Sequence, residues 1–522
     1  MKYVIKEYAD IKKQVEKMSA EELLRCVICP DFPPEKRTPV KNTVALMLHP
    51  TTLEVAKEAL TEVNKNRKDR ALVAVDMEYG AGKALKGATR FPSMRAAAET
   101  QDETLAYKMG VIAAREAIEA GYTWTFGPCV DILANHRNPI VSIRTSGEDA
   151  DTVIRYGGAY MRGLQDTGLI ATLKHFPGDG YSINDQHITT TENPLSREEW
   201  DASFGKVYKT LIEDGVKAIM PGHISLPSYD EIDAETGLYP PATLSKPLMS
   251  GLLRQKLGFE GIIVSDAISM TGFCGYMNMW RACARFLESG GDCLLFFHED
   301  EESFSEMKRL IEKGELTMET LRSRAYRMLC FAREYYSEAD QKKGNENAQV
   351  DLCDADECLA AMVKKSVRLV RNRAELLPIS ADRSLRVAHI VLSNLGTPQG
   401  AMDAPDELTK MLKDRFDKVE ELRDPGPGNA KLLAKSGEYD LIICSVSNEM
   451  SWGLNTVKLS GPMARNMMSG WMRYGTPVVF VSYFDPYFHE DFTAAADTVI
   501  NTYGFSKYTN RAVLDTIFGK EN

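Results

Sequence analysis

The chain has 522 residues, 44% of them hydrophobic and 26% charged, with 37 glycines and 23 prolines; this length exceeds one compact core and makes two domains the natural division. A formal net charge of −11 argues against nucleic acid or an anionic membrane as the main partner and is neutral with respect to a sugar. No apolar run approaches the roughly 18 residues of a membrane-spanning helix, and the N-terminal MKYVIKEYADIKKQ lacks the apolar stretch of a signal peptide.

In chain order, Ser19 followed by Glu22 reads as a capping box before the helical ELLRCVI. Cys26 and Cys29 form a lone CxxC with no second pair nearby, and the ten cysteines follow no disulfide spacing. They read as buried reduced thiols, and the expected location is the cytoplasm. Strands are expected near 43–48, 71–76, 123–131, 170–174, 217–221, 261–266 and 292–297. Between most of them lie long stretches of helical periodicity, such as ETLAYKMGVIAAREAIEA and REEWDASFGKVYKTLIEDG. Strand alternating with helix predicts βαβ units and a parallel sheet, and seven or eight such units over 1–335 fit a (β/α)8 barrel. Most of these apolar runs end in a polar or ionisable residue: His49, Asp76, Asp131, Lys174 with His175, His223, Asp266 and His298. In such a barrel those ends ring the mouth where active sites are built.

Residues 336–355, SEADQKKGNENAQVDLCDAD, are polar without hydrophobic periodicity and are the expected linker. Over 356–522 a helical pattern at 356–366 precedes five expected strands: VRLVRN, RVAHIVLS, YDLIICSVS, TPVVFVSYF and DTVINTYG. A smaller α/β three-layer sandwich follows from this pattern. DPGPGN at 424–429 lacks phosphate-binding glycine spacing and reads as a turn. Trp452 reads as a surface or domain-interface aromatic, the Met-rich stretches ISMTGFCGYMNMW and GPMARNMMSGWM as flexible packing, and His389 as structural.

Two segments carry chemistry. In LKHFPGDGYSINDQH at 173–187, Lys174 and His175 end a strand, and Pro177, Gly178 and Gly180 force a tight loop. Asp185 and His187 follow two residues apart, a spacing that in an extended loop lets one side chain fold back on the other. A carboxylate beside an imidazole raises its pKa and fixes its tautomer, and such an imidazole can give and take a proton at oxygen. The plain alternative is a solvated surface loop. In GIIVSDAISMTG at 261–272, Asp266 emerges at the barrel rim, where it can be a nucleophile, a metal ligand or a helix cap. No local cluster supplies the converging ligands a metal needs.

Together KHFPGDG, DQH and SDAISM resemble the KH-x-PG-x-G loop, Asp-x-His dyad and SD-x-x-SM segment of glycoside hydrolase family 3, in its bacterial β-N-acetylglucosaminidase branch. AVDMEYGAG, GATRFPSMRAAAET, FGPCVDI, NPIVSIRTSGED and IMPGHISLP match the family's pattern in the same order, over about 20–335, and RLVRNRAELLPI and TNRAVLDTIFG match its second domain more loosely. The resemblance implies a retaining enzyme that cleaves terminal β-linked N-acetylglucosamine, with peptidoglycan fragments as one substrate source. It implies Asp266 as nucleophile, His187 as acid/base and Asp185 as its partner. Lys174, His175, Arg144 and Asp76 would hold the sugar's hydroxyls, with Asp131 and His223 as weaker members of that set. No cofactor or metal is required, and the expected partner is a small carbohydrate, neither nucleic acid nor membrane.

Two departures stand out: Tyr79 replaces the first glycine of the family's Asp-x-Glu-Gly-Gly, and Asp179 stands where that branch often has His. Arg90 comes later after Asp76 than the family's arginine and is left out of the site. Three other readings stay open. One is a phosphorylase using the same residues, because an imidazole, unlike a second carboxylate, does not repel an anionic nucleophile. Another is a β-glucosidase or xylosidase of the family, against which the Asp–His dyad argues. The third is a non-catalytic sugar-binding protein.

Overall fold

The computed structural model describes residues 1–33, 42–65, 67, 69–344, 354–373 and 375–519. The chain forms two compact units. The first comprises Met1–Thr89, Ala106–Ala134 and Gly147–Ala355; the second comprises Arg90–Leu105, Asn135–Ser146 and Asp356–Asn522. Two segments expected in the barrel, 90–105 and 135–146, thus group with the C-terminal part.

The first unit is a barrel of parallel strands. Asp31–Phe32, Ala45–Leu48, Leu72–Val75 and Trp124–Thr125 pair in that order. Single bridges from Trp124 to Ile170 and from Cys129 to Lys174 lead on to Thr172–Phe176, which pairs with Ala218–Pro221 and then Ile262–Ile263. A bridge from Val264 to Cys293 reaches Leu294–Leu295, and Ile28–Cys29 pairs with Leu294–Leu295 to close the ring. Counting 28–32 as one strand broken at Pro30, the ring has eight strands. Every residue of Ala45–Leu48, Leu72–Val75, Thr172–Phe176 and Ala218–Pro221 is buried, as strands covered on both faces require.

The closing strand at 28–32 had no sequence signal beyond the end of an apolar helix. Ser19 and Glu22 do form the capping box expected of them, on helix Ala20–Cys26. The expected strand over 123–131 is shorter in ladder terms, because Pro128 has no N–H to donate; its carbonyl still accepts from Lys174 N at 3.3 Å. Helix Met318–Gly344 continues into the stretch expected as linker, and 345–353 lie outside the described residues. Among the described residues nine cysteines are free and all but Cys274 are buried; no described helix is long and apolar enough to cross a membrane.

The second unit is built on a six-stranded sheet. Its order is Arg368–Asn372, Thr498–Asn501, Val478–Ser482, Leu441–Val446, Arg386–Leu392 and Lys418–Arg423, parallel except at the first edge. One face packs Ile443, Val479 and Val481 under helix Gln399–Arg415 through Ala401, Leu408 and Leu412. The other packs Ile390, Cys444 and Phe480 against Trp471 and Phe488. This is the expected sandwich, with one strand more than expected: Lys418–Arg423, KVEELR, is a half-exposed edge strand whose charges hide it from an apolar search. The turn expected at 424–429 is cut short, since helix Gly426–Lys435 starts inside it.

Candidate active site

The carboxyl ends of the barrel strands collect the chemistry. Asp266 follows Ile262–Ile263, and its backbone N donates to Pro221 O at 3.3 Å, which ties it to the neighbouring strand. Its Oδ1 accepts from Ala267 N at 2.8 Å, and its Oδ2 stands 4.0 Å from Nε2 of His175. Burial pushes this carboxyl's pKa up, but His175, His223, His187 and Lys174 together hold it below the ordinary carboxylate value. Asp266 is therefore an anion across the neutral range.

His175 is held from behind. Its Nδ1 lies 2.7 Å from Oδ2 of the fully buried Asp131, and its backbone N donates to Oδ1 at 3.1 Å. Asp131 also accepts from Asp179 N at 2.8 Å and from Cys129 Sγ at 3.1 Å. Burial works against this carboxylate's charge, but His175 and these donors keep its pKa low. Cys129, Asp131 and His175 place their ligand atoms within 4.8 Å of one another, and hydrogen bonds account for that spacing. The expectation that Asp131 holds a sugar hydroxyl is corrected here: with no exposed surface and its oxygens engaged, it orients His175.

Lys174 reaches Asp76 Oδ1 at 2.9 Å and Glu78 Oε1 at 2.8 Å. Asp76 leaves 44% of its side chain exposed and Glu78 13%. Glu78 was missed in the sequence; the alternation Asp-Met-Glu beyond a strand end places it on the same side as Asp76. Tyr79, the departure at the first glycine position, is buried, and the Lys83 ammonium lies 4.8 Å from its ring centre.

His187 and Asp185 meet as expected, though on a tight turn and not an extended loop. Ile188 N and Thr189 N both donate to Asp185 O. Asp185 Oδ1 accepts from His187 N at 2.8 Å and lies 2.6 Å from His187 Nδ1. Asp185 is buried, whereas His187 keeps 22% of its side chain exposed. The turn is fastened to the segment that follows Asp266: Thr271 N donates to His187 O at 3.0 Å, and Thr190 Oγ1 donates to Gly272 O at 3.0 Å.

His223 needs a second correction. It is fully buried, and both ring nitrogens are engaged, Nε2 with Ala267 O and Nδ1 with Thr243 Oγ1, each at 3.0 Å. Burial lowers its pKa, so the ring is neutral, donates from Nε2 and has no nitrogen left for a hydroxyl. Arg144 belongs to the second unit, where it is buried and its Nη1 donates to Ile140 O at 3.2 Å. Arg90, left out of the site, also lies in that unit, with Nη2 3.5 Å from Gly400 O. Of the other strand-end residues, His49 pairs with Asp31 and His298 is exposed.

Residues 41–331 match the model of the glycosyl hydrolase family 3 N-terminal domain. The chain is 32% identical over 490 residues to a beta-N-acetylglucosaminidase/beta-glucosidase of Cellulomonas fimi, covering 91% of this chain and 86% of that one. It is 29% identical to a beta-hexosaminidase of Neisseria meningitidis serogroup C over 46% of this chain and 66% of that one. Among solved structures, a beta-glucoside phosphorylase, BglX, superposes with a TM-score of 0.86 at 27% identity, covering 98% of this chain and 93% of that one. A family 3 beta-N-acetylglucosaminidase from Paenibacillus superposes at 0.79 and 21% identity, over 96% and 97% of the two chains, and shares the fold.

Proposed function

The chain belongs to glycoside hydrolase family 3, and from that membership we propose that it is a retaining, exo-acting β-N-acetylglucosaminidase working through a covalent glycosyl–Asp266 intermediate. The observation that carries this reading is the Asp185–His187 pair, its carboxylate buried and its imidazole partly exposed, fastened by Thr271 N to the segment that follows Asp266. Asp266 attacks the anomeric carbon as His187 protonates the leaving oxygen. His187 then deprotonates the incoming water, so two inversions give net retention. Here an imidazole does the work that a second carboxyl performs in most glycosidases. Lys174, His175 and Asp76 offer charged or strongly polar contacts to the sugar hydroxyls; Arg144 has that role by its match to the family motif. The Cellulomonas relative, named for both N-acetylglucosaminide and glucoside cleavage, and the Neisseria relative, named a hexosaminidase, have the N-acetylated hexosamine in common, and short peptidoglycan-derived glycans are the proposed source.

The phosphorylase neighbour supports a second reading, in which phosphate replaces water in the second step; a dyad that does not add negative charge leaves an anionic acceptor room. Incubation with 4-nitrophenyl N-acetyl-β-glucosaminide, with and without phosphate, separates the two. Free N-acetylglucosamine of retained configuration in both tubes is the expected result. A sugar 1-phosphate replacing it when phosphate is present selects the second reading. Binding without any turnover would sink both and leave a sugar-binding protein.

A further inference from the structure

We propose that Gln186, between the two members of the dyad, is a positioning residue that sets the place of the acid/base relative to the nucleophile. The proposal rests on reading His187 as the acid/base.

Gln186 has no exposed surface, although the residues that follow it emerge to solvent. Its Oε1 accepts from His223 N at 2.9 Å. A backbone N–H is always a donor, so the amide's orientation is settled by its partner. Its Nε2 has no hydrogen-bond partner among the described residues. A buried donor left unsatisfied is unfavourable, so the side chain is not held here to satisfy its own amide. What holds it is the bond from His223.

That bond continues into the nucleophile. His223 Nε2 lies 3.0 Å from Ala267 O, and Ala267 N donates at 2.8 Å to Oδ1 of Asp266. Gln186, His223, Ala267 and Asp266 thus form one connected path from the acid/base turn to the attacking carboxylate. Two glycines make room for it. A Cβ on Gly222 would stand 2.8 Å from Gln186 Oε1 and 2.9 Å from His175 Cβ, and a Cβ on Gly272 would stand 2.4 Å from Gln186 O. With Thr271 N on His187 O and Thr190 Oγ1 on Gly272 O, the turn is clipped on both sides of His187. The Gln186 clip is the one that leads by hydrogen bonds to the attacking oxygen's carboxylate.

A positioning role for a proton donor has a signature that loss of fold does not. Protonation matters when the leaving oxygen is basic and is nearly irrelevant when it is a nitrophenolate. Gln186→Met keeps the side chain's length and removes the acceptor. Relative to the parent chain, kcat/KM for methyl N-acetyl-β-glucosaminide should fall about tenfold or more, with kcat/KM for the 4-nitrophenyl glycoside kept within about twofold. An equal loss on both substrates, or no loss on either, overturns the proposal. If Gln186→Met does not accumulate as folded protein, Gln186→Asn is read by the same ratio, since its amide stops one methylene short of the His223 N–H. His187→Ala is measured in parallel. If it shows no dependence on leaving group, the acid/base reading fails and takes this proposal with it; if it does while Gln186→Met does not, this proposal alone fails.

Discussion

Asp266 remains an anion in a buried setting because four cationic or imidazole side chains act on it against the penalty of burial. Of these, Lys174 carries a permanent charge on a 6%-exposed side chain. Removing that charge by Lys174→Met should weaken the depression of the Asp266 pKa, and the acidic limb of kcat/KM should move to higher pH. The sign follows from the cation favouring the ionised form. The same substitution releases Asp76 and Glu78 from their shared cation and removes the one charge-assisted hydrogen bond that Lys174 is proposed to give the sugar, worth about 1.5–3 kcal/mol, so kcat/KM at neutral pH should fall by about 10–100-fold. A pH–rate series on both chains checks the two effects together; an unmoved limb would detach Lys174 from the ionisation of Asp266. Asp131 and His223 show the opposite lesson. Both lie at strand ends in the right place, yet their polar atoms are engaged by protein, so each orients a neighbour.

At the scale of elements, the loop after Thr172–Phe176 decides whether the dyad reaches the mouth. Gly178 and Gly180 both have positive φ, 124° and 117°, a region that disfavours any side chain. At Gly180 space is also lacking: a Cβ would stand 1.9 Å from Ile132 O, and a backbone atom cannot step aside as a side chain can. Between them Asp179 N donates to Asp131, so the glycines serve the His175 support as well as the turn. Gly180→Ala should therefore cost more than about 2 kcal/mol and lower the melting temperature; urea or thermal melts of the two chains measure it. A neighbouring element rests on charge. Asp292, fully buried, accepts from Arg254 Nη2, Arg327 Nε and Ile263 N, which anchors the strand that leads to Asp266.

At the scale of the whole molecule, each unit has its own core, and the second contains a buried titratable group. His389 lies inside Arg386–Leu392, fully buried, 2.8 Å from Thr409 Oγ1 and 2.8 Å from Ser445 Oγ. Burial above all pushes its pKa down to about 3, whereas the unfolded chain titrates near 6.5. Between these values the unfolded state binds the extra proton, so stability is full above about pH 6.5 and is lost as pH falls towards 3. The loss should reach on the order of 2–3 kcal/mol by about pH 4.5. Denaturant melts with hydrogen exchange read on Arg386–Leu392 test it, and His389→Gln should flatten the pH dependence.

The barrel and the sandwich were legible because apolar runs at regular spacing specify buried strands wherever they fold, and local spacing was enough for the Ser19 cap; for Asp185 and His187 spacing left a solvated loop open, and the motif resemblance singled out the pair. Strand Ile28–Cys29 and the engagement of Asp131 and His223 were not legible, whereas Glu78 was passed over although the Asp-Met-Glu alternation marked it. Ring closure pairs Cys29 with Leu295, and His223 meets Ala267, contacts between residues far apart in the chain. By itself the sequence determined which side chains stand at the strand ends and which pairs meet over a few residues. Tertiary structure decided which of them are closed off by protein partners, because burial and hydrogen-bond saturation depend on what distant segments bring to the same point.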